Sequence, residues 1–97
     1  VLGIKNLSKT TINAFNLYPN PATAYTTISF SIAEKNKVTV NVYDVLGSLV
    51  STLSQSNDFE KGENTISLNT SNLSSGIYYI SLDINGAKET KKLIINK

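Results

Sequence analysis

Three carboxylates, Asp58, Glu60 and Glu63, fall in one short polar stretch and are the first candidates for chemistry, because calcium takes its oxygen ligands from such clusters. They lack the ligand spacing of an EF-hand loop, and a solvated acidic loop accounts for them better. The other carboxylates, Glu34, Asp44, Asp83 and Glu89, are scattered along the chain. Histidine and cysteine are absent. Nucleophile–base triads and the usual zinc sites therefore have no residues from which to be built. No glycine-rich phosphate loop occurs. On this reading the chain has no catalytic residue, no metal ligands and no cofactor site, and it is not an enzyme.

What remains is binding. Tyr43 and Tyr79 sit at polar positions of two alternating stretches, so they can meet across a sheet as a platform for a sugar. Shielding of a sandwich rim, as exposed tyrosines commonly do, accounts for them better, and the absence of tryptophan weighs against sugar. The net charge is only +2 and all nine basic residues are lysine, which argues against nucleic acid, where the arginine fork is the preferred tool. No apolar run approaches the ~20 residues of a membrane-spanning helix, so direct membrane insertion is not expected. Residues 88–97 hold four lysines (88, 91, 92 and 97) against Glu89, mixed with Leu93, Ile94 and Ile95. Lysines guard edge strands against aggregation. A basic strand with an open edge is also what a partner reads by strand addition. Asn69-Thr70-Ser71 and Asn72-Leu73-Ser74 match the glycosylation acceptor pattern, which Ser/Thr/Asn-rich chains meet by chance.

The elements that must position these groups are strands. Over residues 38–50, Val38, Val40 and Val42 alternate with Thr39, Asn41 and Tyr43, the period of a half-buried strand. Asp44-Val45-Leu46-Gly47 then supplies a turn: the Asp carboxylate accepts backbone N–H groups, and glycine takes a positive φ. A return strand is expected from Ser48 to about Ser54. Leu46, Leu49, Val50 and Leu53 also fit one face of a short helix, but Gly47 and the Ser/Thr content disfavour it. Residues 1–14 read as a linker, with room for a short strand near Leu2. Phe15 to Tyr18 reads as a first strand, ended by Pro19-Asn20-Pro21, where two residues lack N–H donors. Residues 26–32 place Ile28, Phe30 and Ile32 on one face. Ser31 and Glu34 have capping-box spacing, but no periodic apolar helix follows, and a polar turn through residues 34–36 is the reading. Residues 55–63 read as a polar loop, turned by Gly62 and plugged by Phe59, followed by a short strand at 65–69.

Leu73-Ser74-Ser75-Gly76-Ile77-Tyr78 resembles a tyrosine corner, in which the hydroxyl bonds to backbone a few residues upstream. Tyr78, Ile80, Leu82 and Ile84 line one face of the strand that follows. Asn85-Gly86 suits a type I′ turn, and residues 87–95 pair back across it. The expectation is an all-β domain, an antiparallel seven-stranded β-sandwich with an immunoglobulin-like Greek key. At 97 residues, with 40% hydrophobic and 16% charged residues, the chain supports one modest core that buries roughly 60–65% of its extended surface. It starts at Val1 without the basic and apolar regions of a signal peptide. It is therefore expected to be a piece of a longer protein, with any export signal upstream.

Several motifs recur in a specific order: Tyr18-Pro19-Asn20-Pro21-Ala22, then Val40-Asn41-Val42-Tyr43-Asp44-Val45-Leu46-Gly47, then Leu73 to Tyr78, then Asn85-Gly86 and Lys92-Leu93-Ile94-Ile95-Asn96-Lys97. The ordered set resembles the type A C-terminal sorting domain of the type IX (Por) secretion system of Bacteroidetes, over residues 15–97. That resemblance implies an address rather than a chemistry. The upstream cargo domain of the same chain would pass through the periplasm, meet the type IX translocon and its shuttle proteins, and be released or anchored at the cell surface. A sortase-like peptidase would remove the sorting domain, with residues 1–14 as the tether. By the same resemblance Pro19 and Pro21 fix the start of the domain, Gly47, Gly76 and Gly86 allow tight turns, and Val40, Val42 and Leu46 fill the core. Recognition falls on the terminal segment, with Lys91, Lys92, Leu93, Ile94, Ile95 and Lys97 as candidate contacts. Ser48 stands where the family often has a basic residue, so no recognition role is assigned there. The alternative is a fibronectin-like spacer or carbohydrate-binding module of a secreted enzyme.

Overall fold

Alternation of apolar and polar residues becomes extended backbone seven times among the described residues. The computed structural model describes residues 12–97. Its strands are β1 (Ile12–Tyr18), β2 (Tyr25–Ile32), β3 (Asn36–Asp44), β4 (Leu49–Phe59), β5 (Gly62–Asn69), β6 (Gly76–Ile84) and β7 (Ala87–Ile95). No helix occurs among the described residues. One sheet has the order β1-β2-β5 and the other β4-β3-β6-β7, and every named strand pair is antiparallel. The chain is an all-β sandwich of two packed antiparallel sheets. Its core takes the inward positions of both: Ile28, Phe30 and Ile32, Val38, Val40 and Val42, Leu68, Ile80, Leu82 and Ile84, and Leu93 and Ile95, none more than 5% exposed. Each such side chain contributes about 1.5–3 kcal/mol of burial, set against the entropy of ordering the chain.

Turn chemistry places the hairpins as the residue types demand. Asp44 Oδ1 accepts the N–H groups of Leu46 and Ser48, each at 2.9 Å, and Gly47 has φ +88°. Asn85 and Gly86 have φ of +52° and +85°, the double positive pair of a type I′ turn. The Tyr78 hydroxyl donates to the Ser74 carbonyl at 2.9 Å, which closes the tyrosine corner. In the β1–β2 connection and just after β5, buried hydroxyls take over from the ladder. Thr26 Oγ1 donates to the Pro19 carbonyl and Thr70 Oγ1 to that of Thr23, and neither threonine has exposed surface.

Several expectations need correction. The first strand begins at Ile12, ahead of Phe15, and residues 1–11, with the expected strand near Leu2, lie outside the described residues. Ile12 and Phe15 have opposite parity yet are both buried, because Ala14 takes φ +53° and the register with β2 shifts between Asn13 and Asn16. One bulged residue turns both side chains inward. Residues 55–59 are not loop. β4 runs on to Phe59 because β3 starts early enough to pair with it, Asn36 opposite Phe59 and Lys37 opposite Asp58. Phe59 packs its ring against Phe30 with centroids 5.5 Å apart. The strand at 65–69 likewise starts earlier, at Gly62. Leu46 does not fill the core: it is 88% exposed at the β3–β4 tip, held there by the turn that Asp44 organises.

Candidate functional site

Strand parity sorts the terminal segment. Leu93 and Ile95 point into the sandwich and are 0% and 2% exposed. Lys91 shares their parity, but at the sheet edge its Nζ lies 5.8 Å from the centroid of the Phe15 ring. That inward lysine is a common guard of an edge strand. Lys92 and Ile94 face outward and are exposed. Past the strand, Lys97 donates from Nζ to the Ser71 carbonyl at 2.8 Å and from its backbone N–H to Ser75 Oγ at 3.0 Å. These six residues of one segment thus occupy four environments: core, edge, outer face and, for Lys97, the loop ahead of β6.

The edge of β7 is only partly open. Ala22 N–H donates to the Ile94 carbonyl at 2.8 Å, and Asn96 N–H donates to the Ala22 carbonyl at 2.9 Å, a short parallel bridge. The Asn20 side chain extends it, donating from Nδ2 to the Lys92 carbonyl and accepting from Ile94 N–H, both at 3.0 Å. Prolines 19 and 21 cannot donate to a ladder, so the amide between them serves in place of a strand. The expected open edge is therefore restricted to the first half of β7, where β6 is the only ladder neighbour among the described residues. This role of Asn20 was not read from the sequence. The signal was present: one amide side chain flanked by two residues without donors.

The outward face of the four-stranded sheet has a marked gradient. One row carries Leu49, Tyr43, Tyr79 and Lys92 from the four strands, and the next toward the β3–β4 tip pairs Ile77 with Ile94. Tyr43 and Tyr79 do meet in register, both half-buried, and the Tyr43 hydroxyl accepts from Asn41 Nδ2 at 3.3 Å. The row away from the tip is polar: Thr52, Asn41, Ser81 and Thr90. Leu46, Leu49 and Val45 are 88%, 57% and 62% exposed at the apolar end, an accumulation that strand alternation did not foretell.

The acidic residues 58–63 do not converge. Asp58 pairs with Lys37 at 3.0 Å, Glu60 with Lys35 at 3.9 Å, and Glu63 accepts from Ser29 Oγ at 3.4 Å. The Lys37 ammonium, by its hydrogen bond and its charge, holds the Asp58 carboxyl below its ordinary value of 3.8. Among the described residues no three such side chains gather as a metal site, and no pocket opens in the surface.

Compared with known proteins, residues 16–96 match the family model of the secretion system C-terminal sorting domain. No curated protein matches the chain. The match runs from the second half of β1 to the end of β7 and includes the Asn20 bridge, the β3–β4 turn, the tyrosine corner and the terminal strand. The chain belongs to the family of secretion system C-terminal sorting domains, the sorting signals of type IX secretion.

Proposed function

We propose that this domain is the address label of a longer chain, read in the periplasm by the type IX translocon and its shuttle proteins and then removed by a sortase-like peptidase as the cargo is released or anchored at the cell surface. The family match over residues 16–96 carries this reading. The tether ends ahead of β1, which already takes in residues 12–14 of the expected linker, and the terminal segment 91–97 supplies recognition through the side chains it leaves outside the core, Lys92 and Ile94 foremost. The work of the domain is contact, and its rigidity comes from the sandwich behind the contact surface.

The test is portability. A periplasmic reporter carrying this chain at its C-terminus is expected outside cells that possess the secretion machinery, and inside the periplasm when residues 12–97 are removed. Equal delivery of the reporter with and without the domain defeats the reading.

A further inference from the structure

We propose that the β3–β4 tip and the adjoining outer face of the four-stranded sheet form one docking surface, through which a protein of the secretion machinery takes hold of the folded domain. The occupant is a protein surface that offers an apolar patch flanked by a carboxylate. The proposal rests on the sorting function proposed above and says where on the domain that function resides.

The patch is assembled from all four strands of the sheet. Leu49, Tyr43, Tyr79 and Lys92 lie side by side in register, with Ile77 and Ile94 in the neighbouring row. Apart from Tyr18 and Tyr25, every large exposed apolar side chain among the described residues belongs to this face or to the hairpin beside it. The patch also has a border, because the row that begins with Thr52 and Asn41 is hydroxyl and amide. An apolar centre with a polar rim is the anatomy of a protein contact.

Folding does not require these side chains. Leu46 gives the turn only its backbone N–H, and at 88% exposure its side chain adds nothing to the core. In a small β domain, exposed leucines at a strand end are an aggregation hazard. A partner that covers them gives the hazard a function.

Charge selects the occupant. Lys92 is the only charged side chain in the two apolar rows, and the nearby Asp44 carboxylate already accepts two turn N–H groups. The complement is therefore a carboxylate beside apolar side chains. A second copy of this chain would set lysine-bearing faces against each other. A sugar would stack on the tyrosines and leave Leu46 and Leu49 uncovered. The terminal segment joins the same surface, since its two outward side chains, Lys92 and Ile94, are part of these rows. Hairpin tip and terminal strand are thus a single contact area.

The experiment compares full precursors ending in this chain: wild type, Leu46→Asp/Leu49→Asp, Lys92→Glu, and Ser67→Asp on the outward face of the other sheet, with a melting curve for each. A contact of this kind loses roughly tenfold or more in delivery when its centre is made acidic. The double variant and Lys92→Glu are expected to accumulate in the periplasm with wild-type melting, while Ser67→Asp is delivered normally. If the double variant does not fold, Lys92→Glu carries the test alone. Normal delivery of folded acidic variants overturns the docking surface. Removal of residues 12–97 in parallel separates the two ideas: if that removal blocks delivery, only the surface is refuted, and if it does not, the sorting function falls too. The surface is also overturned if Leu46→Asp abolishes self-association, or Tyr79→Ala abolishes binding to a glycan array, with delivery unchanged.

Discussion

Replacing Leu93 by alanine tests whether the terminal segment is first a piece of core. Leu93 is fully buried and Ile95 nearly so, while Lys92 and Ile94 between and beside them face water. Truncating a buried leucine or isoleucine to alanine costs about 2–5 kcal/mol, the lost transfer energy plus the cavity left behind. In a domain of this size each kcal/mol lowers the melting temperature by about 4–8 °C, so Leu93→Ala is expected to fall by at least about 8 °C. Ile94→Ala and Lys92→Ala remove outward side chains and are expected to stay within about 1 kcal/mol. Leu93 and Ile95 point the same way two residues apart, so their effects are coupled rather than additive. Together they still approach the roughly 5–15 kcal/mol that holds a typical domain together. Deleting residues 91–97 would also strip the ladder pairs of Lys91 to Ile95 with β6 and the bridge to Ala22. A secretion defect after that deletion would then report unfolding as much as a lost signal. Circular dichroism melts of Leu93→Ala, Ile95→Ala, Ile94→Ala and Lys92→Ala decide the matter. If Leu93→Ala melts within about 2 °C of wild type, or Ile94→Ala falls as far as Leu93→Ala, the parity argument is wrong.

Two further outcomes follow from side chains that bridge distant segments. Asn20→Ala removes both side-chain bonds to β7 and is expected to cost about 1–2 kcal/mol, with faster amide exchange at Ile94; unchanged protection at that amide would show that the bridge is not holding the edge. Asp58 is held below 3.8 by Lys37, so the folded state gains from this carboxylate at pH values above its unfolded pKa and loses the gain as pH falls through the depressed value. The pair is open to solvent and screened by salt. In an NMR titration the Asp58 midpoint is expected to rise toward 3.8 in Lys37→Ala, and an unmoved midpoint would remove the ammonium as its cause.

The ordered motifs in the sequence were enough to name the family, because they are turn chemistry and turn chemistry is local. Asp44 and Gly47 shape their turn through N–H groups no more than four residues away, and Tyr78 reaches only back to Ser74. Alternation likewise identified the inward faces of β2, β3 and β6, since side chains on a strand alternate whatever the neighbours are. Where alternation broke, the reading failed. Ile12 joins the core only through a bulge at Ala14, and β4 outruns its expected end because β3 offers it a partner.

Local rules therefore determined the strands, the turns and the absence of residues for conventional triad or zinc chemistry. Tertiary structure decided which members of the terminal segment are core and which are surface, and that Asn20 covers the second half of the β7 edge. These depend on pairing between segments as much as 74 residues apart, and pairing is fixed by the packing of two sheets rather than by any residue's own neighbours.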